Sequence, residues 1–181
     1  MVNCTSKTYQ MKREILTFSN KISRKLPKPE KTFIADMNYG ILASNSCLLT
    51  DIVDQLHEHS KKINSVDRLS RHLSKGTPKD ALRAYLTHIK KWCPDHPVIH
   101  IDDSDVVKPD GYKFESLGWV RDGSESTSTK NVYKKGYHVT EATVLTNNNH
   151  PVSLFSKTHS SNEKGFTSIN NITFSAMERA A

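Results

Sequence analysis

The spacing of apolar residues changes at Pro97, and that change limits the fold more than any other feature of the chain. Before it, apolar side chains recur at three and four residues. Leu48, Leu49, Ile52, Val53 and Leu56 form one such set, Val66, Leu69 and Leu73 a second, and Ala81, Leu82, Tyr85, Leu86 and Ile89 a third. That period places each set on one face of a helix. After Pro97 come short runs rich in β-branched residues, at Val98–Ile101, Tyr137–Thr146 and Val152–Thr158. These read as strands, with Asn147–Pro151 as a hairpin loop between the last two. Helical and strand periods in separate halves specify an α+β chain and exclude an all-helical bundle or an all-β sandwich. The organisation expected is a helical region over 1–96 and a β region over 97–181.

Local signals refine the helical half. Pro27 and Pro29 interrupt the basic run at 21–31, which predicts a helix from Tyr9 to Lys25 followed by a linker. Ser65 is placed to cap a short helix that Gly76 closes. Thr77 is placed to cap the next, with Pro78 at its first position, Asp80 in its first turn and Pro94 beyond its end. A short helix, a glycine-containing turn and a longer helix have the outline of a helix-turn-helix.

Charge separates the halves as sharply as spacing does. The 181 residues carry 26 Lys and Arg against 19 Asp and Glu, a formal +7. Residues 1–96 hold 17 basic and 9 acidic groups, net +8, whereas residues 97–181 hold 9 and 10, net −1. A basic half predicts contact with a polyanion, and double-stranded DNA is the partner expected. The candidate phosphate contacts are Lys21, Arg24, Lys25 and Lys28 in the first basic cluster, and Arg68, Arg71, Lys75, Lys79, Arg83, Lys90 and Lys91 on the helices that follow. No apolar run approaches the ~18–20 residues of a membrane span, so no membrane partner is expected. Cys4, Cys47 and Cys93 are too far apart for a disulfide framework or a Cys-x-x-Cys metal site, which points to a soluble, cytoplasmic protein.

The strand at Val98–Ile101 runs into Asp102, Asp103, Ser104 and Asp105. Two-metal phosphoryl transfer needs carboxylates held on rigid backbone, and Mg²⁺ takes one or two of them together with substrate oxygens and water. The competing reading is a turn, which Asp and Ser also favour. Strand alternation sends Asp102 and Asp103 to opposite faces and leaves Asp105 on the same face as Asp103. A Gly-, Ser- and Thr-rich loop is expected over 118–131. The basic and aromatic run Tyr133–Tyr137 is a candidate contact for a nucleic-acid backbone.

Ile101-Asp102-Asp103-Ser104-Asp105, Lys108-Pro109, Gly136-Tyr137 and His150-Pro151-Val152-Ser153-Leu154 occur in an order that resembles the insertion-sequence group of DDE transposases. The likeness extends over about residues 33–174. It implies the opening of an RNase H-like domain, here an incomplete three-stranded antiparallel β-ribbon behind a helical DNA-end-binding region. It further implies that Asp103 is the family's first catalytic acid, a ligand to Mg²⁺, with Asp105 as an alternative ligand. Duplex DNA at transposon ends and a homodimer are the partners it implies, in a bacterial-type cytoplasm and on the nucleoid when DNA-bound. The family's other two acids have no counterparts here, so the expectation is a truncated transposase inactive by itself. The alternative is a small basic DNA-binding or regulatory protein without catalytic activity.

Overall fold

A computed structural model describes residues 4–180, and the chain divides into two compact units between Lys91 and Trp92. Among the described residues, the first holds five helices: α1 (Cys4–Ile22), α2 (Lys28–Ser44), α3 (Leu49–Leu56), α4 (Lys62–Leu73) and α5 (Lys79–Ile89). A 3₁₀ turn at Lys90–Trp92 follows.

Helix α2 occupies sequence that was expected to open as a linker. Pro27 sits at its N-cap with φ −65° and ψ 156°, and Pro29 lies in its first turn. The carbonyl of Pro27 accepts from the amides of Glu30 and Lys31, both at 3.1 Å. A proline there gives up only an amide that has no helical partner, so the two prolines separate α1 from α2 and start the second helix.

The expected caps also shift. Ser65 lies inside α4, 2% exposed, and its hydroxyl donates to the Glu58 carboxylate and shares a 2.7 Å hydrogen bond with Ser60. At α5 the N-cap is Pro78 rather than Thr77, and its carbonyl accepts from Ala81 at 3.0 Å and Leu82 at 3.2 Å. Gly76 does close α4: its amide reaches the Leu73 carbonyl at 2.9 Å, and its φ of +76° suits a residue without a Cβ.

Leu26, Phe33, Ile34, Ile52, Val53, Leu69 and Ala81 form the core of this unit. Helices α2 and α3 cross so closely that a Cβ on Gly40 would stand 2.4 Å from Ile52 Cγ2. Helix α4 packs on α3 and α2, whereas α5 packs on α1. The two helices of the helix-turn-helix outline therefore dock on different partners.

The second unit is a four-stranded antiparallel sheet, one strand more than the ribbon expected. Its strands are β1 (Ile99–Val107), β2 (Gly118–Arg121), β3 (Tyr133–Leu145) and β4 (Pro151–His159). β3 is central. β1 lies on one edge of it from Ile99↔Val144 to Val107↔Gly136. β2, pairing at Tyr133–Gly136, and β4, pairing at His138–Leu145, share the other edge end to end. The extra strand forms from residues 118–121, the start of the presumed loop.

The acidic residues 102–105 lie within β1 rather than in a turn. After the sheet comes α6 (Ile169–Ala180). Ser168 caps it by accepting the Asn171 amide at 3.2 Å. Helix α6 packs on β3 and β4, Ala176 is fully buried, and so are alternate β3 residues Thr140, Ala142 and Val144.

Candidate functional site

The helical unit gathers cations around one groove. Lys21 lies in the last turn of α1, Arg24 and Lys25 follow the helix in a turn, and α5 with its 3₁₀ extension supplies Arg83 and Lys91. Ile22 and Ala84 give the groove an apolar floor, and its volume is about 310 Å³. The one carboxylate in its lining is Asp80, which is 3.5 Å from Arg83. His88 lies on the wall, its ring 5.9 Å from that of Phe18. Partial burial, and then the charges of Lys21 and Lys91, hold its imidazole below its ordinary pKa. Proximity of α1 to α5 creates this site, and no sequence motif announces it.

The remaining basic candidates divide into two groups. Lys28, Arg71, Lys75, Lys79 and Lys90 are exposed but lie outside the groove lining. Arg68 has a different task. One of its guanidinium nitrogens donates to Asp36 at 2.8 Å and another to Glu58 at 2.6 Å, with the side chain 29% exposed. It ties α4 to α2 and to the turn after α3, which leaves it poorly placed for a phosphate.

In the sheet unit, Asp103 and Asp105 sit on one face of β1, in register with Thr140 and His138. Thr140 donates its hydroxyl proton to Asp103 Oδ1, and Thr140 Oγ1 is 2.8 Å from Nε2 of the buried His159. Nδ1 of His138 stands 2.6 Å from Asp105 Oδ1, and its ring stacks on His159 with centroids 5.7 Å apart. Each of the two carboxylates is thus engaged from β3. Asp102 lies on the other face, opposite Glu141.

Beside them, an open cleft of about 530 Å³ is also lined by Arg121, Asp122 and Ser124. Asp122 organises the loop after β2. Its Oδ1 accepts from the Ser124 hydroxyl at 2.5 Å and from the amides of Ser124 and Glu125 at 3.0 and 3.3 Å. Its Oδ2 is 2.9 Å from Lys134 Nζ. The Ser124 hydroxyl bond, followed by Lys134, brings the carboxyl pKa down to about 2.

Among the described residues, no three His, Cys, Asp or Glu side chains converge as a metal-ligand set. Asp103 and Asp105, already hydrogen-bonded within the sheet, do not by themselves make the two-metal geometry that Mg²⁺ chemistry requires. Sequence reading had not singled out Thr140, His138 as a partner of Asp105, His159 or Asp122; strand register is what brings them together. Among the described residues no helix is long and apolar enough to cross a membrane. Comparisons with protein-family models, curated proteins and solved structures find no significant match to this chain.

Proposed function

We propose that this chain binds double-stranded DNA through the groove between α1 and α5. The observation that carries the reading is the convergence of Lys21, Arg24, Lys25, Arg83 and Lys91 around a single carboxylate that is already close to Arg83. Such a groove concentrates positive potential where a phosphate backbone can displace its own counterions.

The likeness to DDE transposases extends this proposal. On that reading the helical unit holds the DNA, and the antiparallel run β1–β3–β4 followed by α6 is the opening of an RNase H-like domain. Asp103 then stands where that family's first acid stands. Two-metal cleavage needs further carboxylates beside it, so DNA binding is the activity assigned to this chain and no step through Mg²⁺ is derived.

Salt titration tests the groove. Five phosphate contacts give a slope of log K against log salt of about −4.5, or roughly 500-fold weaker binding between about 50 and 200 mM. Arg83→Glu and Lys21→Glu should each weaken duplex binding and flatten the slope. Duplex affinity indifferent to salt and to both substitutions would sink the proposal. Mg²⁺-dependent nicking lost in Asp103→Ala would extend the activity to catalysis; no nicking by either protein leaves binding as the function.

A further inference from the structure

A second surface, in the sheet unit, has the chemistry of a base-stacking platform. β2 and β3 pair Trp119 with Lys135 and Arg121 with Tyr133. Strand alternation puts these four side chains on one face, opposite Val120, which is 1% exposed, and Gly136. The result is a checkerboard. Each aromatic ring has a cation across the ladder and another two residues along its own strand.

Both rings are open, Trp119 at 62% and Tyr133 at 57% exposed. Lys135 holds its ammonium 4.6 Å from the centre of the Trp119 indole. Arg121 is exposed and makes no ion pair with the described residues.

Charge on this face favours an anion. β2 carries no carboxylate; Glu141 on β3 and Asp102, opposite it on β1, lie six residues beyond Lys135 along the ladder, about 20 Å away. Each acid on the opposite face already has a partner: Asp122 and Glu125 meet Lys134, Asp105 meets His138, and Asp103 accepts from the Thr140 hydroxyl. Open rings beside unneutralised cations match a ligand that alternates flat apolar groups with negative charges. An unpaired nucleotide strand has that pattern, whereas duplex bases have their faces covered by their neighbours.

We infer that Trp119 and Tyr133 stack bases of single-stranded DNA while Arg121 and Lys135 contact its phosphates. The choice of DNA over RNA rests on the duplex-binding reading of the helical unit; the platform itself does not.

Fluorescence anisotropy on the full chain at moderate salt tests it, with labelled oligothymidylate, oligouridylate and a mixed-sequence duplex. Trp119→Ala and Tyr133→Ala should each weaken oligothymidylate binding about 5- to 150-fold and leave duplex binding unchanged. Trp119→Phe, which keeps a ring, should retain most of the affinity. Arg83→Glu should do the converse, weakening the duplex alone, so the two surfaces fail separately. Arg121→Glu removes no buried atom and should also weaken the single strand, which keeps the test open if an aromatic variant fails to fold. The inference is overturned if oligothymidylate does not bind, if the ring and Arg121 variants bind it as wild type does, or if duplex affinity falls in parallel. Tighter, Trp119-dependent binding of oligouridylate would overturn the assignment to DNA.

Discussion

His159 offers Nε2 to Thr140 Oγ1 at 2.8 Å, while its buried Nδ1 meets no hydrogen-bond partner among the described residues. Thr140 spends its single hydroxyl proton on Asp103, so its oxygen must accept from His159. That fixes the Nε2–H tautomer and leaves the Nδ1 lone pair buried. Burial, and then the neighbouring His138, lower the imidazole pKa. A lowered pKa makes the contribution to stability complete above the unfolded value of about 6.5 and lost as pH falls below it. The sheet unit should therefore lose stability between neutral pH and about pH 5. His159→Gln keeps a donor but cannot take up a proton, and should lose less over the same interval. Urea unfolding of both proteins at the two pH values checks this; parallel losses would remove His159 as the cause.

Arg68 separates a structural cation from the proposed DNA contacts. Its partners Asp36 and Glu58 are partly buried, and burial raises the Asp36 carboxyl pKa against the opposing pull of the guanidinium. Arg68→Ala strands that carboxylate and should cost about 1–3 kcal/mol of stability. Duplex affinity, measured where the variant is folded, should stay within about twofold of wild type, since surface changes away from a contact are near neutral. A large affinity loss with unchanged stability would return Arg68 to the proposed DNA interface.

Gly40 sets the crossing distance of α2 and α3. A Val there drives methyl groups into the fully buried Ile52, and the helices must separate. Overpacking of this kind costs about 1–3 kcal/mol. Thermal unfolding should show it in the helical unit. The double variant Gly40→Val with Ile52→Ala should recover part of the loss; a double variant no more stable than the sum of the singles would place the clash elsewhere.

Asp122 gives the sheet unit an acid limit. Its carboxyl is lowered to about 2, first by the Ser124 hydroxyl and then by Lys134. The stability it confers is present above the ordinary carboxylate pKa of about 4 and drains as pH falls toward 2. Asp122→Asn should remove that acid limb of the unfolding profile and make the loop at 122–126 cleavable at neutral pH. Limited proteolysis and acid titration followed by circular dichroism read the two effects; an unchanged profile would show that the loop does not depend on the charge.

Much of the fold was legible because periodicity reports burial directly. The helical faces around Ile52, Leu69 and Ala81 and the strands around Ala142 and Val144 follow from spacing. What escaped was decided at longer range. Pro27 and Pro29 break one helix and begin another, and composition alone does not tell these roles apart. Asp102 to Asp105 carry turn propensity, but register with Thr140 and His138 draws them into a ladder. Trp119-Val120-Arg121 is too short to signal a strand until β3 offers an edge. The basic groove was half legible: Lys21, Arg24, Lys25, Arg83 and Lys91 were all candidates, while the packing of α1 on α5 chose them from the eleven.

β1 takes part in the sheet along one side only, because β2 and β4 share the far edge of β3. A nine-residue strand with an open side is a template on which a second copy could add. Asp102, Asp103 and Asp105 line this strand with charge of one sign, and an identical strand approaching it would bring three more. Like charges set directly opposite one another would oppose edge-to-edge pairing of two such strands.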